Sequence, residues 1–260
     1  MAGAVRQGSC LCGGVTFEAE GPLGDVIACH CSQCRRTSGH VWAGSFVPRA
    51  RFRLLAAAGL RWFRSSSGVD RGFCQDCGAS LFWQPVDGAE ICVAAGALDP
   101  PTGLTLAAHW HRQDAGDYYS PEGPPPPPAT TRPERLHCAC LCGACAFELP
   151  GPAGPIAACH CTQCRKLSGH YSASFDADES RLVWRRRAAL KEYATPGGGR
   201  RGFCSACGSS LWFRSAAGEF SVEAGAVTGP TGGRLSEHIF VASKGDYYEI
   251  DDGLPQAGRW

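Results

Sequence analysis

Hydrophobic and polar positions fall into short runs along this chain, with no long amphipathic stretch. VTFEAEG from Val15, VWAGSFV from Val41, EICVAAG from Glu90, LVWRRR from Leu182, EFSVEAG from Glu219 and HIFVAS from His238 are rich in β-branched and aromatic residues. Gly and Pro punctuate them, which is the signature of short strands joined by tight turns. An apolar period of about 3.6 is nowhere sustained beyond two turns, apart from a weak helix candidate near Leu54 to Leu60. The pattern predicts a mainly β, mostly antiparallel fold.

The pattern also repeats. Cys10, Cys12, Cys29, Cys31, Cys34, Cys74 and Cys77 recur, each displaced by half the chain, at Cys140, Cys142, Cys159, Cys161, Cys164, Cys204 and Cys207. Their surroundings match as well: CHCSQCRRTSGH against CHCTQCRKLSGH, and RGFCQDCGASL against RGFCSACGSSL. From GALDPPTG at Gly96 and GAVTGPTG at Gly225 onward the displacement is one residue shorter, so a residue is lost near a hairpin turn between DGAEICV and GEFSV. The repeat is a whole domain, and the chain reads as a tandem duplication. The expected boundaries are a first domain over 1–119, a linker over 120–133 and a second domain over 134–260. The linker, SPEGPPPPPATTRP, favours a stiff polyproline II spacer rising ~3.1 Å per residue. Two copies side by side also admit packing as an intrachain pseudo-dimer.

Composition narrows the class. The 260 residues carry a formal net charge of +1, and only 19% are charged, which argues against a nucleic-acid partner. Arg185 to Arg187 and Arg200–Arg201 are basic, but no aromatic residues interleave with them to stack bases. No apolar run is long enough to span a membrane, and the N-terminal MAGAVRQGSC lacks a secretory core, so a cytoplasmic protein is expected. Against that background 17 cysteines are anomalous. In a reducing compartment structural disulfides are rare and clustered thiols point to metal.

The spacing divides each seven into four and three. C-x-x-C followed by Gly resembles a zinc knuckle, in which backbone N–H groups point at the sulfurs. C-x-C in a strand puts both side chains on one face, because strand side chains alternate. Cys10 and Cys12 would therefore join Cys74 and Cys77 in a closed four-thiolate site. Cys140, Cys142, Cys204 and Cys207 would do the same. Cys29 and Cys31 share a face, with His30 turned away, and a turn would bring Cys34 round as third ligand; Cys159, Cys161 and Cys164 repeat this. Three thiolates leave one tetrahedral position open, the mark of a catalytic centre. Zinc in such a centre keeps a net negative charge and suits an incoming thiol better than hydroxide formation. The adjacent pairs Arg35–Arg36 and Arg165–Lys166 would offset that charge or hold a substrate carboxylate. A second metal closed by His30 or a distant residue remains open. Disulfides are opposed by compartment and C-x-C strain, and iron–sulfur ligation by the spacings. Cys92, Cys138 and Cys145 have no counterpart and read as small buried hydrophobes, although Cys138 and Cys145 flank a ligand pair.

In this order the clusters GSCLCGGV, CHCSQCRRTSG and RGFCQDCGASL resemble the glutathione-dependent formaldehyde-activating enzyme (GFA) family, which also includes centromere protein V. The second copy matches further, through HIFVASKGDYYEIDDGLP. The resemblance implies two zinc ions per domain, about four per chain, with the four-cysteine set structural and the three-cysteine set catalytic. It implies carbon–sulfur lyase chemistry joining glutathione and formaldehyde as S-hydroxymethylglutathione, with a small thiol and an aldehyde as partners. The alternatives are a non-catalytic tandem zinc scaffold and, from the thiol count alone, a redox switch. In the first copy Gln113–Asp114–Ala115 replaces the Lys244 region, which marks that copy as the weaker site if the segment binds substrate. His109, His238, Asp117, Asp246 and the paired tyrosines are expected to pack and hydrogen-bond without entering the chemistry.

Overall fold

The computed structural model describes residues 4–127, 130 and 132–259. Each half holds two sheets. In the first, Val5–Ser9, Thr16–Glu20 and Phe52–Ala56 form a three-stranded antiparallel sheet. A seven-stranded sheet runs Leu106–Trp110, Val26–Cys29, Trp42–Pro48, Glu90–Ala94, Ser80–Pro85, Val69–Cys74, Leu60–Ser66. The second half repeats the small sheet with Arg135–Ala139, Ala146–Pro150 and Val183–Arg186. Its large sheet follows the same order and gains an eighth strand, Gln256–Ala257, beside Arg234–Ile239. Pairing is antiparallel except where Leu106–Trp110 meets Val26–Cys29 and where Arg234–Ile239 meets Pro155–Cys159 and Gln256–Ala257. Alternation drives burial: Val15, Phe17 and Ala19 are fully buried, while Thr16 and Glu18 between them are not. The shortened displacement falls in the expected hairpin, since Phe82 pairs with Val93 and Trp212 with Val222.

Local expectations need two corrections. The weak helix candidate near Leu54 to Leu60 is the end of one strand, a turn and the start of the next: Leu54 pairs with Phe17, and Leu60 with Cys74. Non-local pairing outweighs a period too short to nucleate a helix in water. Two real helices were not signalled, α1 (Ser32–Ser38) and α2 (Thr162–Ser168), each seven residues long. Two turns give too few residues for a periodicity to register. Gly39 and Gly169 end them with φ of 88° and 85°, a conformation glycine adopts without strain.

The two copies share one continuous buried core. Their contacts are reciprocal about a pseudo-twofold. The Gly96 N–H donates to Gly169 O at 2.8 Å, and the Gly225 N–H to Gly39 O at 2.7 Å. Asp117 accepts from the N–H groups of Thr231 and Gly232, and Asp246 from those of Thr102 and Gly103. Leu235 N donates to Tyr118 O, Leu106 N to Tyr247 O, and Val41 bridges to Tyr171, its own counterpart. Self-complementary exchange of this kind is the grammar of a twofold dimer, here within one chain. From the linker, the Pro125 and Pro126 carbonyls accept from Arg234. The polyproline expectation extends to Pro128, which, with Ala129 and Thr131, lies outside the described residues.

Candidate metal centres

Cys10, Cys12, Cys74 and Cys77 place their sulfurs within 4.8 Å of one another, as do Cys140, Cys142, Cys204 and Cys207. Neighbouring sulfurs stand 3.5–3.8 Å apart. Contrary to the strand expected for them, the C-x-C segments lie in the turn that follows Val5–Ser9 and Arg135–Ala139, with Gly13 and Gly143 at φ 77°. The turn brings both sulfurs inward without strand alternation. The knuckle also differs from expectation: the Gly78 N–H goes to Cys74 O, and the N–H groups on sulfur come from Val15 to Cys10 and Cys145 to Cys140, both at 3.2 Å. Cys12 and Cys142 are exposed, their partners buried. The hydrogen-bonding thiols of Cys74 and Cys77 pull Cys10 down to about 4, while the same crowding pushes Cys77 far up. Four sulfurs within this span suit a closed tetrahedral metal.

The sulfurs of Cys29, Cys31 and Cys34, and those of Cys159, Cys161 and Cys164, form the other two clusters. Cys29 closes its strand, Cys31 caps α1, and Cys34 lies in the first helical turn, so a helix and not a plain turn delivers the third sulfur. The Cys34 N–H points to Cys31 Sγ at 3.5 Å, and the Cys164 N–H to Cys161 Sγ at 3.4 Å. Cys34 and Cys164 are buried, but the other four are only half-buried, so each cluster has an approachable side. Cys29 and then Cys34 hydrogen-bond Cys31 down to about 2, and Cys159 and Cys164 do likewise for Cys161. His30 is turned away: Nδ1 meets Tyr119 Oη at 2.8 Å and Nε2 meets His109 Nδ1 at 2.9 Å. Among the described residues no histidine joins a sulfur cluster.

The charge beside these sulfurs comes from residues the spacing argument passed over. Buried Arg71 points both terminal nitrogens at Cys34 Sγ at 3.6 Å, and buried Arg201 one at Cys164 Sγ at 3.3 Å. The signal was in RGFC: on one strand, alternation sends Arg71 and Cys74 to opposite faces, one toward each cluster. The basic pairs do other work. Arg165 is buried and donates to Gly96 O and Leu98 O of the first copy, and Lys166 to Ser9 Oγ and Asp99. Arg35 donates to His30 O and Asp114 O. Arg165, buried on carbonyls of the other copy, is not placed to receive a substrate carboxylate, whereas Arg35 commits only its Nε.

The copies differ behind the sulfurs. In the second, Tyr248, His160, His238 and Asp252 form a chain of contacts at 2.6, 2.9 and 2.8 Å. In the first, among the described residues, the chain Tyr119–His30–His109 ends without a carboxylate. His109 and His238 thus hydrogen-bond, as expected. Burial holds His30 and His160 neutral, down to about 3. A cavity of ≈ 90 Å³ between the copies is lined by His109, His160, His170, Tyr171, His238 and Asp252, among others. Glu223 occupies the place of Ala94, accepts from Ser172 Oγ at 2.6 Å and Ser210 Oγ at 3.3 Å, and is pushed up to about 7 by burial. Of the unmatched cysteines, Cys92 and Cys138 are simply buried thiols, Cys138 raised to about 12 by desolvation. Cys145 is buried too, and its backbone N–H donates to Cys140 Sγ.

Fold and clusters define a duplicated β protein built around all-sulfur groups able to hold metal. The chain matches the family described as glutathione-dependent formaldehyde-activating enzyme over residues 5–114 and 135–243, and it belongs to that family. No curated protein matches it. Among solved structures it is similar to the crystal structure of a Rhodobacter sphaeroides protein, at 25% identity and a TM-score of 0.32, over 40% of this chain and 98% of that one.

Proposed function

We propose that this protein is a zinc-dependent carbon–sulfur lyase acting on thiol–aldehyde adducts, with glutathione and formaldehyde the substrates its family name suggests. The observation that carries this reading is the three-sulfur cluster with two half-exposed thiols and a buried guanidinium at the third. The four-sulfur sets are assigned to structural zinc and the three-sulfur sets to catalytic zinc, about four ions per chain. Zinc held by Cys159, Cys161 and Cys164, or by Cys29, Cys31 and Cys34, would supply an open position for the thiol and lower its pKa so that it attacks the aldehyde carbon at neutral pH. Arg201 and Arg71 offset the surplus thiolate charge, which otherwise repels an anionic thiol. The neutral, buried His30 and His160 stay hydrogen-bonded on the far side and fix the loop that carries the outer two sulfurs. The second copy is the stronger site on this reading, because Asp252 completes its histidine chain. A cytoplasmic location fits the reduced thiols the mechanism needs.

Metal quantification paired with turnover on a panel of thiols and aldehydes tests the proposal. Cys161→Ser should abolish turnover by the second copy with the fold nearly intact. Cys207→Ser should unfold that copy, because a structural zinc contributes on the order of 10 kcal/mol to folding. Equal unfolding by both substitutions, with no pair turned over by the unmodified protein, would instead favour a zinc scaffold.

A further inference from the structure

The second copy lacks a filled corner that the first retains. In the first, Leu23 and Leu104 pack against the core just before the strands Val26–Cys29 and Leu106–Trp110, and Asp25 and Thr105 follow them. The repeat places Ala153, Gly233, Pro155 and Arg234 at those four positions. Side-chain volume is removed twice, a carboxylate disappears and a guanidinium is added. A cavity of ≈ 390 Å³ stands there, walled by Ala153, Pro155, Leu235 and Leu254 and by two arginines, Arg132 from the linker and Arg234. Among the described residues no acidic side chain lines it. The backbone around it is pinned. The Ala153 N–H donates to Thr231 O at 2.9 Å and the Gly233 N–H to Thr231 Oγ1 at 3.1 Å, while Asp117 of the first copy holds the Thr231 N–H. Arg234 gives Nε and Nη2 to linker carbonyls. Its Nη1 and the whole Arg132 guanidinium have no partner among the described residues.

We infer that this cavity binds a small organic anion, a phosphate or carboxylate group carried on a compact apolar body. Its volume lies within the range of about 300–1,000 Å³ usual for small-molecule sites, and its apolar wall suits the body of such a ligand. Guanidinium forks match the paired oxygens of a carboxylate or phosphate. Two like charges lining one cavity repel each other, and a bound anion turns that repulsion into attraction. Because Arg132 belongs to the linker and Arg234 to the second domain, the anion also ties the linker to that domain. Leu23, Leu104 and Asp25 deny the first copy an equivalent, so each chain takes one anion. The site is separate from the sulfur clusters: Pro155 begins the strand that Cys159 ends, about 13 Å away by strand rise. It rests on neither the zinc nor the lyase reading.

Isothermal titration of the full chain with phenyl phosphate and with benzoate tests this, benzyl alcohol serving as the neutral control. At least one of the two anions should bind, one per chain, and benzyl alcohol should not. The preferred anion identifies the group as phosphate or carboxylate. Arg132→Gln and Arg234→Gln should each weaken binding roughly tenfold or more, the loss expected for one charge-assisted contact. Ala153→Leu restores the side chain that the first copy carries and should abolish binding by filling the space, with the thermal midpoint unchanged or raised. Thermal unfolding of each variant separates lost binding from lost fold. Should Ala153→Leu not fold, the arginine variants, which alter exposed side chains, decide the matter. Failure of both anions to bind at millimolar concentration overturns the proposal. So does binding unchanged in both arginine variants, which places the anion elsewhere, and so does equal binding of benzyl alcohol.

Discussion

Glu223 shows how one residue separates two otherwise equivalent copies. Ala94 and Trp42 in the first copy become Glu223 and Ser172 in the second, and the carboxylate lies against the C-terminal Gly39 of α1 with Ser172 and Ser210 as its donors. Burial, opposed in part by Ser172, raises its pKa from the ordinary 4.5 to about 7. The folded protein therefore keeps a proton that the unfolded chain releases across that window. Stability from this group is greatest below pH ~4.5, falls as pH rises, and is lost above pH ~7 by an amount on the order of 3 kcal/mol. Glu223→Gln removes the titration. Its stability relative to the natural chain should improve steadily between pH 5 and pH 8 in denaturant unfolding. Parallel curves would show that the carboxylate does not titrate in the folded state.

At the scale of elements, α1 and α2 deliver Cys34 and Cys164, and each rests on a tight turn of the opposite copy. A side chain at Gly225 would place its Cβ 2.2 Å from Arg35 O, and one at Gly96 2.3 Å from Arg165 O. Both obstacles are helix backbone, which yields little. Gly225→Ala should cost roughly 1–3 kcal/mol, as overpacking generally does, and displace the helix carrying Cys34. Gly154→Ala, with nothing within 4 Å, should change stability by no more than about 0.5 kcal/mol. Denaturant midpoints of the two variants decide the matter, and equal midpoints would mean that the turn does not buttress the helix. This buttressing marks the limit of what was legible beforehand. Cysteine identity and displacement were enough to sort fourteen thiols into the four clusters that the fold assembles, because a C-x-C or C-x-x-C confines two sulfurs whatever the backbone does. Burial alternation in VTFEAEG was equally readable. The helices are too short for a periodicity to register, and nothing in RGFC besides strand alternation marks Arg71 as a neighbour of the other cluster. Nothing in a repeat period specifies how two copies dock, so Gly96, Gly225 and Glu223 carried no advance signal.

For the whole molecule the question is whether the linker or the interface holds the halves together. The interface carries reciprocal backbone hydrogen bonds, the Asp117 and Asp246 exchanges, buried Arg165 on two carbonyls and a core continuous across both copies. Arg165, buried and charged, would lose both carbonyl acceptors on separation, and its Nε already has no partner. Separating the halves would also expose apolar surface at about 25 cal/mol per Å². The linker contributes mainly effective concentration. A protease site placed within 124–127 therefore predicts a cleaved protein that still elutes as a single one-to-one complex on size exclusion. Its unfolding midpoint should become dependent on protein concentration, because dissociation now accompanies unfolding. Adding Asp117→Ala and Asp246→Ala to the cleaved protein should weaken the complex symmetrically, since each aspartate serves the opposite copy. Prompt separation of the two fragments after cleavage, without denaturant, would show that the linker and not the exchanged contacts holds the pair.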